Sequence, residues 1–255
     1  MRVAALYDVH GNPAALEAVL LDVAQEQPEA IVFGGDLVSG PFPRETLELL
    51  MAVEGAAFVR GNGDREVVGA FDAALEFDES EPHPARKAAS WVAPQLSADQ
   101  RDFLAAFRDT VALDVDGLGE TIFCHGSPRS DEEIITHLTP EDRLREFLAG
   151  TEQRVVVCGH THMQFERLVD DTRILNAGSV GMPYQGSRGA FWLLLGPEPD
   201  FRRTDYDVDA FVERLSSTDY HEADDLAIIL QRPFAADPVA AFFEGIGPEP
   251  EPSEG

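Results

Sequence analysis

Five short apolar runs in the first two thirds of this 255-residue chain each stop at a glycine-flanked group of aspartate, asparagine or histidine. Residues 3–7 lead into Asp8 and His10, residues 30–33 into Gly34-Gly35-Asp36, and residues 56–59 into Gly61-Asn62-Gly63-Asp64. Residues 121–124 lead into His125-Gly126, and residues 154–158 into Gly159-His160-Thr161-His162. Apolar runs of this length, rich in Val, Ile and Phe, are those of strands buried on both faces. Between several of them lie helical patterns. After the first run, Asn12 is placed to cap a helix with Pro13 at its first position, and Leu16, Val19, Leu20 and Val23 recur at helical spacing. Alternation of this kind predicts an α/β fold, whose functional groups gather where strands end and loops diverge.

The remaining segments divide the chain. A helix is expected over about 44–51. Residues from about 65 to 108 read as helices without intervening strands, with Ser97 and Gln100 as a capping box. Strands are expected at 111–115 and 121–124, and a helix from Thr139, Pro140 and Asp142. Four closely spaced strands, at about 164–169, 172–175, 190–195 and 201–206, suggest hairpins. These boundaries imply a main domain over 1–206 with a helical insertion at about 65–108. A helical extension over 207–246 follows, packed on the core. An acidic, proline-rich tail over 247–255 is expected to be disordered.

Composition narrows the partners. A net charge of −28 excludes broad binding to DNA or RNA, because that affinity comes from Lys and Arg neutralising phosphates. A small phosphoester remains admissible, since bound cations reverse the local charge. No apolar run reaches membrane-span length and no signal peptide is evident, so the expected compartment is the cytoplasm, with no membrane partner. Cys124 and Cys158 read as buried, reduced thiols.

The strand-end residues comprise two carboxylates, one amide and four imidazoles: Asp8, Asp36, Asn62, His10, His125, His160 and His162. Such a nitrogen–oxygen set suits Mn, Fe, Co, Ni or Zn better than Ca or Mg. Seven groups exceed one tetrahedral site and suit two ions about 3.5–4 Å apart, with a bridging water acidified to hydroxide. Asp8 and His10 are two residues apart, as are His160 and His162, so an extended backbone would point each pair the same way.

This ordered series resembles the calcineurin-like metallophosphoesterase superfamily, and within it the short bacterial and archaeal phosphodiesterase branch, which also carries a segment similar to Asn176-Ala177-Gly178-Ser179. The resemblance covers about residues 1–206. It implies a four-layer αββα sandwich of two mixed sheets flanked by helices, with the additional helical segments outside it. It also implies one ion held by Asp8, His10, Asp36 and His162, a second held by Asp36, Asn62, His125 and His160, and Asp36 as the bridge. Asn62 would polarise a phosphate oxygen, and Asp64 would orient a ligand histidine. The expected cofactors are two divalent transition-metal ions, with Mn favoured.

The chain departs from the family at Gly63, where many members carry a histidine that protonates the leaving group. His137 is the candidate replacement, and Arg129 and Arg188 are candidate phosphate clamps. His83 reads as a loop residue and His221 as solvated. The expected activity is hydrolysis of a small phosphodiester. Phosphomonoester hydrolysis at the same site, and a non-catalytic metal-binding scaffold, are the alternatives.

Overall fold

The computed structural model describes residues 1–252. Ten strands form two five-stranded mixed sheets. The strands are β1 (Val3–Leu6), β2 (Ala30–Phe33), β3 (Ala57–Phe58), β4 (Thr110–Val115), β5 (Gly119–Cys124), β6 (Val155–Cys158), β7 (Gln164–Val169), β8 (Thr172–Ala177), β9 (Ala190–Leu195) and β10 (Asp200–Thr204). The first sheet runs β10-β9-β1-β2-β3 and the second β4-β5-β6-β8-β7. Parallel pairs occupy the middle: β1 with β2 in one sheet, β5 with β6 and β6 with β8 in the other. The hairpins β7–β8 and β9–β10 are antiparallel.

Nine helices accompany these strands among the described residues: α1 (Pro13–Glu26), α2 (Pro43–Met51), α3 (Asn62–Asp72), α4 (Pro84–Val92), α5 (Ala98–Ala105), α6 (Glu141–Phe147), α7 (Val208–Leu215), α8 (Ala223–Gln231) and α9 (Ala236–Phe243). The alternation of β1 shows how four layers arise. Ala4 and Leu6 face the helical layer, with Leu16 and Val19 of α1 and Leu47 of α2. Val3, Ala5 and the following Tyr7 face the second sheet, against Val155, Val157 and Phe123. The far face of that sheet is covered by α6 and α9 through Leu144, Phe147, Val239 and Ala240. The fold is thus the expected αββα sandwich.

The structure differs from the sequence reading at several boundaries. The third strand contracts to Ala57–Phe58, and Asn62 opens α3 instead of lying in a loop. The cause is local: the Asp64 side chain accepts the Gly61 N–H at 3.1 Å and ties off the helix start. The last strand stops at Thr204, and the Tyr206 hydroxyl accepts a hydrogen bond from Asn12 Nδ2. Of the tail, residues 253–255 lie outside the described residues. Glu249, Pro250 and Pro252 border a groove along α8 and α9, in neither helix nor strand.

Tyr7 joins the two sheets at the edge from which the functional loops depart. Its ring is fully buried, and its hydroxyl donates to the Val157 carbonyl of β6 at 3.1 Å. A Cβ on Gly34 would lie 1.9 Å from this ring, and a Cβ on Gly159 would lie 2.4 Å from it. Both positions must therefore be glycine for reasons of space. Gly34→Ala should destabilise the fold by about 3 kcal/mol through overpacking. In a Tyr7→Leu background the same substitution should cost less than half as much, as a denaturant-melt double-mutant cycle would show.

Candidate metal centre

The loops after β1 and β2 remain paired beyond the strands. The Asp8 N–H donates to the Gly35 carbonyl and the His10 N–H to the Asp36 carbonyl, each at 3.0 Å. The loops after β5 and β6 do the same through Gly159 N–H to the His125 carbonyl, at 2.9 Å. His160 N–H then crosses between sheets to Asp8 Oδ2 at 3.0 Å. The Asn176–Met182 segment locks this assembly. Asn176 Nδ2 donates to the Gly159 carbonyl and to Thr161 Oγ1, while Ser179 Oγ donates to the Asp8 carbonyl.

The backbone carrying the candidate ligands is not extended. Asp8, His10, Asp36, His160 and His162 all have positive φ, between 47° and 65°. The backbone of both pairs is thus not extended as expected; Asp8 and His10 still bring their ligand atoms into one group, whereas His160 and His162 do not. Left-handed residues turn the chain sharply, so His160 and His162 join different groups. Asp and His tolerate this conformation better than most side chains, yet each such residue costs about 1–3 kcal/mol.

Two compact groups result. Ligand atoms of Asp8, His10 and His162 lie within 4.8 Å of one another, as do those of Asp36, His125 and His160. Asp36 faces both: its Oδ1 is 3.6 Å from His125 Nε2 and its Oδ2 is 3.9 Å from His10 Nε2. The Gly63 N–H holds Oδ1 at 2.7 Å.

Hydrogen bonding shows that these residues fit metal ions. The Nδ1 atoms of His10, His162 and His125 face the carbonyls of Ser39, Met182 and Gly34 at 3.0, 2.8 and 2.9 Å. Carbonyls only accept, so these ring nitrogens carry the protons, and neutral rings then present lone pairs at Nε2. His10 Nε2 and His162 Nε2 are 3.1 Å apart. Two lone pairs at that separation repel unless a cation sits between or beside them. Three further buried atoms of the cluster lack any hydrogen-bond partner: Asp8 Oδ1, Asn62 Oδ1 and His125 Nε2. Buried polar atoms are normally satisfied, and divalent ions would satisfy all three.

The electrostatics agree. Burial works against ionised Asp36, but the His125 imidazole beside it holds its carboxyl well below the usual range. Burial likewise works against a charged His125, yet the negative charge of the neighbouring Asp36 carboxylate pushes that imidazole up to about 10. His160 goes the other way, lowered to about 4 by burial and by His125. Burial and the Asp36 charge raise Asp64 to about 7. Asp64 does not orient a histidine as expected. Its two oxygens accept the Leu37 and Gly61 N–H groups and so fasten the Asp36 loop to the Asn62 loop.

The other candidates lie elsewhere. His137 Nε2 is 2.9 Å from Asp237, Arg129 pairs with Glu133 and Glu146, and Arg188 pairs with Asp209. None of the three lines the cavity that opens beside His10 and Asp36. His221 is not solvated: its side chain is 7% exposed, packed between Phe77 and Tyr220. The sequence reading also passed over Ser39 and Met182, whose backbone carbonyls orient two histidines, and Tyr184, whose ring stacks on His162 at 5.4 Å. Backbone acceptors leave no residue-type signal. The stacked ring had none either, because Tyr184 comes 22 positions after His162.

Comparisons with known proteins point the same way. Residues 1–195 match the model of the calcineurin-like phosphoesterase superfamily domain. The chain is 27% identical over 233 residues to the uncharacterized protein MJ0912 of Methanocaldococcus jannaschii, covering 84% of this chain and 91% of that one. A metallophosphoesterase from Sphaerobacter thermophilus superposes with a TM-score of 0.71 at 27% identity, covering 91% of this chain and 98% of that one. The hypothetical protein PH1004 of Pyrococcus horikoshii OT3 shares the fold, with a TM-score of 0.72 at 20% identity over 90% and 97% of the two chains.

Ligand histidines must be deprotonated to bind a metal. Because the metal-free His125 holds its proton up to a pKa of about 10, metal uptake at pH 7 should release it. Apparent affinity should then rise by up to about tenfold per pH unit between pH 7 and 9. Calorimetric titration in buffers of different ionisation enthalpy would count the protons released.

Proposed function

The chain belongs to the calcineurin-like phosphoesterase superfamily, and from that membership we propose that it hydrolyses a small phosphodiester at a dinuclear metal site. The observation that carries this reading is the pair of ligand groups sharing the Asp36 carboxylate, with unsatisfied buried atoms turned toward them. Asp8, His10, Asp36 and His162 would hold one ion, and Asp36, Asn62, His125 and His160 the other. Divalent ions held there would neutralise phosphate charge and would acidify a water toward hydroxide near neutral pH.

The chain's own groups do the rest. The carbonyls of Ser39, Met182 and Gly34 keep three imidazoles in one tautomer and one orientation. Asp64 ties the Asp36 loop to the start of α3, and the Asn62 amide oxygen would be a neutral metal ligand, leaving its Nδ2–H group as the donor toward a phosphate oxygen. The oxygen of the deprotonated water would bond to phosphorus as one ester P–O bond breaks, and the expelled oxyanion would take its proton from solvent, giving an alcohol and a phosphomonoester. Manganese suits the mixed nitrogen–oxygen set.

Gly63 bears on which diesters react. It contributes no acid group to the leaving oxygen. A Cβ there would lie 3.0 Å from both Asp36 Oδ1 and Ser39 Cβ, so a histidine at this position would press on the shared carboxylate. General acid catalysis contributes about 10²–10⁴-fold where present, and its loss falls on poor leaving groups.

Protein reconstituted with Mn²⁺ should hydrolyse bis-(4-nitrophenyl) phosphate faster than 4-nitrophenyl phosphate. Asp36→Asn should lose metal and at least about 10²-fold in turnover. A faster monoester reaction would favour a phosphomonoesterase. Absence of bound metal with no rescue by Mn²⁺ would favour a scaffold. Across a series of aryl diesters, log kcat should fall steeply as leaving-group pKa rises, and a flat series would reveal an acid catalyst after all.

A further inference from the structure

A cavity of about 190 Å³ opens beside the candidate metal centre, with His10 and Asp36 among its lining residues. The two helical segments outside the sandwich supply much of its wall. Ala85 and Ala88 come from α4, and Leu226 and Ile229 from α8. Gly63 also borders it. Among the described residues, no lysine or arginine lines this space. The ionisable groups it contains, apart from Tyr220 and the candidate ligands, are the carboxyls of Glu222 and Asp225.

Proteins that recognise a phosphate or carboxylate with side chains use Arg or Lys, and Arg does so in bidentate fashion. Here the metal centre can neutralise one phosphoryl group, and nothing further along the wall can neutralise a second anion. Among the described residues the Glu222 side chain has the Tyr220 hydroxyl at 3.1 Å and the His221 ring at 3.7 Å as partners, and Lys87 of α4, whose charge is felt at His221, forms no ion pair with it. Burial lowers the His221 pKa, so the ring is neutral near pH 7 and offers no counter-charge. An additional negative group would meet carboxylates of like charge, a juxtaposition that is strongly unfavourable. The apolar residues, by contrast, gain from being covered. The space suits a ring-sized group, since an apolar cavity of ~150 Å³ accepts benzene.

We infer that this cavity receives the ester substituent of a monoanionic phosphodiester, and that it selects small, largely apolar substituents bearing no negative charge. The inference rests on the phosphodiesterase reading. Diesters whose second group carries a carboxylate or another phosphate are poor substrates.

The test keeps the leaving group constant. Full-length protein loaded with Mn²⁺ is assayed on 4-nitrophenyl diesters whose second substituent is phenyl, ethyl or 2-carboxyethyl. The expected kcat/KM for the carboxyethyl diester is lower than for the phenyl diester by about tenfold or more. In Glu222→Gln/Asp225→Asn the gap narrows by at least about threefold, because the like charges are gone. Calorimetric binding of phenylphosphonate against 2-carboxyethylphosphonate gives a readout independent of turnover, and phenylphosphonate should bind more tightly. Equal kcat/KM across the series, or a gap unchanged in the double variant, overturns the inference and leaves the phosphodiesterase reading standing. If no diester is hydrolysed although metal is bound, the phosphodiesterase reading fails, and equal affinity for the two phosphonates overturns the inference separately.

Discussion

Tyr7 joins the two sheets where three of the ligand-bearing loops depart from them. Its hydroxyl satisfies a carbonyl of the opposite sheet, and its ring fills the space left by Gly34 and Gly159. Asp8 follows directly in sequence, Gly34 precedes Gly35-Asp36, and Gly159 precedes His160. One aromatic ring therefore sets the distance between three loops, each of which carries a ligand. Close packing in a sandwich core transmits any displacement of that ring to the loops, because such interiors have few voids to absorb it.

That rigidity is what allows the site to hold strained backbone. Five candidate ligands sit at positive φ, and His10 and His162 point unprotonated nitrogens at each other. Neither arrangement is favourable in an isolated loop. It persists because the paired loops, the Asn176 amide and the Ser179 hydroxyl satisfy the surrounding backbone groups. Cations would then convert the repulsion of His10 and His162 into binding energy. The fold, on this view, stores in the metal-free state part of the strain that metal binding relieves.

The legible part of the sequence was what depends on residue type and period. Apolar runs ending in Asp and His marked the strands and the site together, because a buried strand has a simple pattern and a metal needs particular donors. The α/β class followed from that pattern, and the four-layer arrangement from the resemblance to the metallophosphoesterases. What stayed hidden depends on conformation or on distant segments. Positive φ at Asp8 and His160 cannot be read from a pattern that fits an extended strand. Asn62 begins a helix because Asp64 caps it, and Gly-Asn-Gly reads first as a turn. His221 stands among polar neighbours in sequence, yet Phe77 and Tyr220 enclose it. The wall formed by α4 and α8 joins residues more than a hundred positions apart, and no periodicity connects them.

Gly63 links the local chemistry to that wall. A side chain at this position would start 3.0 Å from the Asp36 carboxylate, at the border of the cavity that α4 and α8 also line. Glycine gives up the acid and keeps the space. An enzyme working without that acid depends on a leaving group that departs readily, and on binding energy gained away from the reacting bond. In a chain with a net charge of −28, that energy cannot come from a cationic clamp on this wall. It has to come from apolar contact, which Ala85, Ala88, Leu226 and Ile229 are placed to provide. On the proposed reading, the glycine, the absence of Lys and Arg from this wall among the described residues, and the apolar side chains all favour the same kind of substituent.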